Sequence, residues 1–545
     1  MSISLSKNDD ANSEVQAALT ALEMFLQDAT RDMAARIGET DGATADDYQN
    51  ACYELAFAAA ELAAAKALFG EADALADTLS FDLARSYAAS VMPQVVLRLR
   101  VIATDIEMPS DALNGLDAVF IADASAKNLQ RLGADILASG DAYRAIQTDS
   151  ETDMARDTFY RLGQDIVAPL AEKIHREDLT IPESILRPLR EMGTFGLTIP
   201  ESYGGIAPDE GENTKGMIAI TEALSTASLG AAGSLITRPE ILSRAMLYGG
   251  TEAQKKEWLP KIAAGEPLCA ISITEPDFGS DAASLNLKAT KTEGGWLLNG
   301  AKTWCTFAGK AGVIMVVART EEAPGHKGLS ILLVEKPSTE EHAFEVVQEG
   351  GGRMTGKAIP TIGYRGMHSY DMAYEDFFVP DANLLGEEGG RGKGFYMTMA
   401  GMTGGRIQTA ARACGVMAAA IDAALQYAGD RKVFGKALGD YQMTQARLAV
   451  MAARYRACRA LAYEVAELMD EGKGQMQASL VKLIACRSAE IVTRDALQIF
   501  GGMGYAEETS VSRYFVDARV LSIFEGAEET LAMKVVAREL LNRAQ

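Results

Sequence analysis

The chain has 545 residues, 48% of them hydrophobic and 23% charged, and carries 52 Lys and Arg against 75 Asp and Glu, a net charge of −23. At about 150 residues per domain the length suggests three to four domains of ordinary globular composition, and the negative charge repels phosphate backbones and anionic lipid, which argues against a nucleic-acid binder or a polybasic membrane clamp. Six scattered cysteines without a CxxC pair read as reduced thiols, and four histidines (175, 326, 342, 368) without HxxxH or HExxH spacing argue against zinc hydrolase chemistry and predict no metal site.

The first ten residues lack a basic stretch followed by an apolar core, so no signal peptide is expected. Apolar runs such as 313–318 are far shorter than the about 20 residues that cross a bilayer, so a soluble, cytoplasmic protein without membrane insertion is expected. Residues 1–150 hold 24 acidic and 10 basic side chains, 34 alanines and only 6 of the 50 glycines, a composition that favours helix. Leu19, Leu22 and Leu26, then Leu55, Ala59 and Leu62, recur at helical spacing. This part reads as an acidic helical extension in which no residue set carries chemistry. Residues 151–268 stay helical, interrupted by loops at 199–205 and 248–251. Across 269–380 the period changes: 268–273, 295–299, 313–319 and 329–334 are short, apolar or β-branched and separated by Gly-rich turns, which predicts a central β-domain. Residues 381–545 return to long helices, roughly 395–429, 440–470 and 475–500, with a last amphipathic helix from about 526.

Two glycine-rich stretches only look like nucleotide sites. Gly351–Lys357 is followed by Ala358 where a P-loop needs Ser or Thr for magnesium, and Gly389–Gly394 is not GxGxxG. A GxSxG elbow is absent. Five other elements are informative. In 273–281 a strand running into Pro276 and Gly279 would expose backbone amides beside the Thr274 and Ser280 hydroxyls, which suits an anionic or heteroaromatic ligand, although a capped turn needs none. Lys302–Thr306 carries Trp304, one of three tryptophans, which either packs in a core or walls a flat cofactor. Arg431, Phe434 and Gln442 lie between two helices and offer a forked donor for pyrophosphate and a stacking face, or equally a helix-end arginine beside a buried ring. Gln498 precedes Gly501, Gly502 and Gly504, which allow close approach of backbone to phosphate. Glu525, between Ile523-Phe524 and Gly526, is either a helix N-terminal charge or a desolvated carboxylate able to act as a base.

In this order the five elements resemble the acyl-CoA dehydrogenase family over residues 151–545. The resemblance implies a mainly α fold with a central β-domain: a helical N-terminal domain (151–268), a β-barrel or sandwich domain (269–380) and a C-terminal four-helix bundle (381–545), here behind the 1–150 extension, with FAD between the last two. It implies oxidation of an acyl-CoA thioester to the trans-2-enoyl-CoA. Glu525 would remove the α-proton, the β-hydride would go to flavin N5, and the Glu525 backbone N–H would polarise the thioester carbonyl. By the same resemblance Thr274 would bond the flavin ring, Trp304 and Thr306 would cover its other face, and Ser280 would lie near cofactor phosphate or the pantetheine arm. Arg406 would meet the CoA end of the substrate and Gly526 the substrate beside the base. Arg431, Phe434, Gln442, Gln498, Gly501 and Gly502 would reach the adenosine diphosphate part of FAD across a subunit boundary, which implies a homodimer or tetramer. Electrons would pass to electron-transferring flavoprotein. Ala527, Glu529, Met503 and Phe307 depart from the family's usual Thr, Gln, Asn and Asn and leave the finer cofactor contacts and the acyl pocket open.

An acidic extension ahead of a full dehydrogenase unit resembles the branch of the family that oxidises (2S)-methylsuccinyl-CoA, a short branched dicarboxyl-CoA, to mesaconyl-CoA in the ethylmalonyl-CoA pathway. Arg238, among apolar residues in the helix expected to line the acyl tail, would suit the distal carboxylate. An internal pair with Glu240 or Glu201, or solvent exposure, is the other reading of that arginine. A short-chain monocarboxyl acyl-CoA dehydrogenase, an acyl-CoA oxidase and a non-catalytic flavoprotein scaffold are the alternatives.

Overall fold

A computed structural model describes residues 2–39 and 44–544. They form two compact units, one of Met1–Met154, Thr409–Met469 and Lys473–Gln545, the other of Ala155–Gln408 and Asp470–Gly472.

The first unit is helical. Helices Ser2–Glu39, Gln49–Leu75, Thr78–Asp105 and Ala126–Ser139 come from the extension, and Gln475–Phe500 and Ser510–Leu521 from the C-terminal part. Gln49–Leu75 is alanine-rich and apolar nearly all round, which is the signature of a helix buried on several sides. It packs against Thr78–Asp105, against Gln475–Phe500 and against the turn Ala532–Ala537. Polar contacts fix the register there. The Tyr53 hydroxyl donates to Glu528 Oε1 at 2.6 Å, Arg487 lies 3.7 Å above the Phe57 ring, and Lys534 pairs with Asp46 at 2.7 Å. Burial, then the hydrogen bond to Glu528, pushes the Tyr53 phenol up to about 12. The extension is thus packed under the segment that follows Glu525.

The second unit holds helices such as Glu183–Glu191, Thr214–Ala227, Thr237–Gly249 and Glu252–Ala263, and an eight-stranded sheet. The strands are β1 (Cys269–Ser272), β2 (Lys288–Thr292), β3 (Gly295–Thr306), β4 (Val313–Arg319), β5 (Leu329–Glu335), β6 (Ala343–Val347), β7 (Arg353–Ala358) and β8 (Ser369–Pro380). Their order is β1-β4-β2-β3-β8-β7-β6, with β5 pairing β4; β1–β4 and β2–β4 are parallel and the rest antiparallel. Strands β4 and β5 are buried on both faces. Ile314, Val316, Leu332 and Val334 pack with Trp296 and Tyr374 on one side, while Met315, Val317, Ile331 and Leu333 pack with Leu242, Trp258 and Leu259 on the other. That is why both strands read as unbroken apolar runs.

The sequence did not predict β2, β6, β7 and β8, which carry Lys, Thr, Asp or Glu on solvent-facing positions and so lack an unbroken apolar run. Gly351 sits in the β6–β7 turn, where its N–H donates to Gln348 O, and a strand rather than a helix follows, so the P-loop-like stretch is a hairpin. All six cysteines are buried and free. No helix among the described residues is long and apolar enough to cross a membrane.

Candidate active site

In the first unit the centre of interest is Glu525. Its backbone is left-handed, φ 54°, as is that of Gly526, φ 99°. A non-glycine residue adopts that conformation only when its surroundings hold it there. At 526 a side chain would be strained and its Cβ would lie 2.8 Å from Leu531 Cδ2. The holding group is Lys482, 1% exposed, whose ammonium donates to Phe524 O at 2.8 Å and Gly526 O at 2.6 Å, one carbonyl on each side of Glu525.

The Glu525 side chain is 10% exposed. Its Oε2 accepts from the Thr409 hydroxyl and from Arg412 Nη2. Arg412 is fully buried, also donates to Thr409 Oγ1 at 2.6 Å, and lies 4.8 Å above the Phe524 ring. Glu525 Oε1 and the Glu525 N–H take part in no hydrogen bond among the described residues. The arrangement is a desolvated carboxylate with one oxygen clamped and one available.

In the second unit, strand β3 carries a register shift between Lys302 and Cys305. Such a bulge re-aims side chains: Trp304, φ 56°, turns outward and is 54% exposed, while Cys305 beside it is fully buried. Thr303 N donates to Thr274 O at 2.8 Å, joining the strand to the 273–281 loop. Lys302 anchors that loop through Ile273 O at 2.7 Å and Glu275 at 2.9 Å, and Glu275 in turn accepts from Asn286 N and Leu287 N. Burial pulls the Lys302 ammonium down to about 8 against the opposing pull of Glu275. The Thr306 hydroxyl shares a 2.9 Å hydrogen bond with Ser369 Oγ, Thr274 is half-buried and Ser280 is exposed. Phe307 is buried with φ 71°, its N–H spent on Met367 O and His368 O.

Arg238 is buried, 6% exposed, at the start of the helix Thr237–Gly249, and donates to Ser234 O at 2.9 Å. Among the described residues no carboxylate lies in ion-pair range of it. The internal pair with Glu240 or Glu201 is not formed: Glu240 accepts from Arg244 at 2.8 Å and from Gln408. Arg406 is half-buried, and its burial lowers its pKa.

The remaining candidates lie at exposed places in the first unit. Arg431 precedes a two-residue hairpin (Lys432–Val433 with Lys436–Ala437) whose tip is Phe434, 99% exposed with φ 49°. The alternative of a buried ring at 434 is therefore excluded for the single chain. Gln442 donates to Gln130 at 3.1 Å. Gln498 is exposed at the end of its helix, and at Gly501 and Gly502 nothing lies within 4 Å of where a Cβ would stand. By itself, the outward indole of the second unit suits a flat ring; by itself, the open glycine backbone of the first suits a phosphate.

Sequence reasoning missed Thr409, Arg412, Lys482 and the Lys302–Glu275 pair. The available signal was a cation flanked by apolar residues inside a helix, as in Ala411-Arg412-Ala413 and Val481-Lys482-Leu483. Linear spacing also hid the meeting of Asp178, His342 and His368, whose ligand-type atoms lie within 4.8 Å of one another. Arg365, 3.5 Å from the same carboxylate, already faces that cluster with a cation.

Three domain models of one family match the chain: acyl-CoA dehydrogenase N-terminal domain at 149–266, middle domain at 270–377 and C-terminal domain at 392–541. The chain is 40% identical over 480 residues to (2S)-methylsuccinyl-CoA dehydrogenase of Cereibacter sphaeroides, covering 87% of this chain and 85% of that one. Among solved structures it is similar to butyryl-CoA dehydrogenase from Megasphaera elsdenii (TM-score 0.66, 30% identity, 73% of this chain and 100% of that one). It is equally similar to a chain from the work on the electron transferring flavoprotein of Acidaminococcus fermentans (TM-score 0.65, 30% identity, 73% and 99%).

Proposed function

The chain belongs to the acyl-CoA dehydrogenase family, oxidoreductases that act on a CH–CH bond with a flavin, and we propose that it uses FAD to oxidise (2S)-methylsuccinyl-CoA, a short branched dicarboxyl-CoA, to mesaconyl-CoA. The observation that carries this reading is Glu525: a nearly buried carboxylate with a free oxygen, set in a left-handed conformation that Lys482 holds from both sides. Glu525 takes the α-proton of the thioester. Its own N–H, unused among the described residues, donates to the thioester carbonyl and makes that proton acidic, an interaction that strengthens as negative charge develops on the oxygen. Bound FAD supplies the acceptor for the β-hydride.

Thr274, Ser280, Trp304 and Thr306 hold the flavin end of the cofactor in this reading, and Arg431, Phe434, Gln442, Gln498, Gly501 and Gly502 hold its adenosine diphosphate end across a boundary between two copies. The wholly exposed Phe434 supports a homodimer or a tetramer, because a phenyl ring at a hairpin tip gains by being covered. Arg406 and Gly526 meet the substrate. The dicarboxyl class is supported by the named relative and by Arg238, a buried guanidinium with no counter-charge among the described residues. Electron-transferring flavoprotein as the acceptor is supported by the similarity to the Acidaminococcus chain, and a cytoplasmic location by the six buried cysteines without disulfides.

The test is anaerobic bleaching of the flavin absorbance against methylsuccinyl-, glutaryl-, isobutyryl- and butyryl-CoA. Fast reduction by methylsuccinyl-CoA alone is expected. Preference for a monocarboxyl thioester refutes the substrate, and peroxide formation on admitting oxygen at a rate matching turnover makes the protein an oxidase.

A further inference from the structure

We propose that Asp178, His342 and His368 form a binding site for one divalent transition metal that favours imidazole, zinc or copper. The site is independent of the reading of Glu525 and of the acyl group.

The sheet brings two of the ligands together. Strands β6 and β8 both pair antiparallel with β7 and therefore run parallel to each other. His342 and His368 each stand one residue before their strand begins, so both lie at one end of the sheet, on either side of the end of β7. Ala358 N donates to His342 O at 2.7 Å and Ile359 N to Ser369 O at 2.8 Å, which fixes that alignment. Asp178 arrives from the loop between helices Ala168–Arg176 and Glu183–Glu191. Histidine spacing along the chain showed none of this, because the three residues are neighbours only across separate elements.

The distances suit an ion. His368 Nε2 stands 3.2 Å from Asp178 Oδ1, close to the about 3.3 Å between two ligand atoms of a tetrahedral zinc with bonds of about 2.0–2.1 Å. The two imidazole centroids are 4.4 Å apart. One ligand atom from each of the three residues lies within 4.8 Å of the other two. Closing the set therefore takes about 1.5 Å of movement, which the exposed His342 supplies by turning its ring. Nδ1 of the buried His368 has no hydrogen-bond partner among the described residues, so reorienting this ring breaks only its bond to Asp178. Asp178 and His368 stand at φ 55° and 26°, conformations that non-glycine residues keep only where their surroundings hold them. A hydrogen bond kept for structure alone would use one histidine and leave the second imidazole without a purpose.

The neighbouring cation decides which metal. Arg365 Nε lies 3.5 Å from Asp178 Oδ1 while donating to Thr361 O at 3.1 Å, and its Nη1 donates to His175 O at 2.9 Å. Held by carbonyls, the guanidinium stands behind the carboxylate, as outer partners of ligating carboxylates do. It also offsets the carboxylate's charge. Calcium or magnesium needs several oxygen ligands and finds one neutralised carboxylate. Zinc and copper gain from imidazole nitrogen itself. A bound ion ties the 178 loop to the starts of β6 and β8.

The experiment uses the full FAD-loaded chain, titrated with zinc chloride and with calcium chloride by calorimetry in a non-chelating buffer. One zinc per chain and no calcium are expected. H342Q and H368Q should each weaken zinc binding at least about 30-fold, since even outer partners of a metal are worth about 10–100-fold. H326Q, which removes an imidazole outside the cluster, should leave it within about twofold. Cu(II) electron paramagnetic resonance should show nitrogen coupling from two imidazoles in the wild type and from one in H342Q. Absence of zinc binding, binding unchanged in H342Q, an equal loss in H326Q, or calcium bound as tightly as zinc overturns the proposal. Because His342 is exposed, H342Q decides if H368Q fails to fold.

Discussion

Lys482→Met tests whether the conformation of Glu525 is imposed. The substitution keeps an unbranched apolar stem and removes the ammonium that bonds Phe524 O at 2.8 Å and Gly526 O at 2.6 Å. A hydrogen bond from a charged donor contributes about 1.5–3 kcal/mol; two are lost, offset by no longer burying an ammonium, so a net destabilisation of about 2–4 kcal/mol is expected. The kinetic consequence comes from strain. A left-handed non-glycine residue costs about 1–2 kcal/mol, and Glu525 stands at φ 54°. With the clamp gone, that strain favours other conformers and leaves the working one populated at about 3–20%. The limiting rate of flavin reduction at saturating substrate should fall about 5–30-fold. Anaerobic stopped-flow measures the rate and urea titration the stability. A stability loss with a limiting rate within twofold of wild type would show that the loop keeps its shape without Lys482 and would refute the reasoning.

Glu525→Gln should retain FAD and lose flavin reduction by about 10²–10⁴-fold, the usual worth of a positioned base; near-normal reduction in the stopped-flow trace would place the base elsewhere. Tyr53→Phe removes the 2.6 Å bond to Glu528 and should lower stability by about 1–2 kcal/mol with flavin content unchanged, since it loosens the extension without touching the loop; an unaltered urea midpoint would show that this contact does not fasten it. Stability should rise between about pH 8 and 9, because burial lowers Lys302 and Lys336 from 10.5 to about 8, so over that range the unfolded chain binds more protons than the folded one. Above pH 9 the buried thiols, such as Cys269 raised from 9.0 to about 12, act in the opposite sense. Urea midpoints across this range should lose part of their slope in Lys302→Met, and an unchanged slope would assign it to other groups.

The sequence by itself determined the class of the fold and where its chemistry could lie. Helical periodicity in 395–429 and 475–500 agrees with helices Gly394–Asp430 and Gln475–Phe500, and the apolar runs at 313–319 and 329–334 are the doubly buried strands β4 and β5. These are regular segments whose pattern repeats every few residues, so local sequence carries them. Trp304 stood out as one of three tryptophans, and Glu525 and Gly501-Gly502 through their short motifs and their place in the ordered set of five elements. The partners were not. Glu525 meets Arg412 and Thr409 across 113 and 116 residues of chain, and Lys482 reaches its two carbonyls across 42 and 44. A buried cation signals its presence by apolar neighbours, but which anion or carbonyl it serves depends on how helices pack. Only the tertiary structure therefore decided that the carboxylate is clamped on one oxygen, that its backbone is held left-handed, and that the acidic extension is built into the unit that carries it.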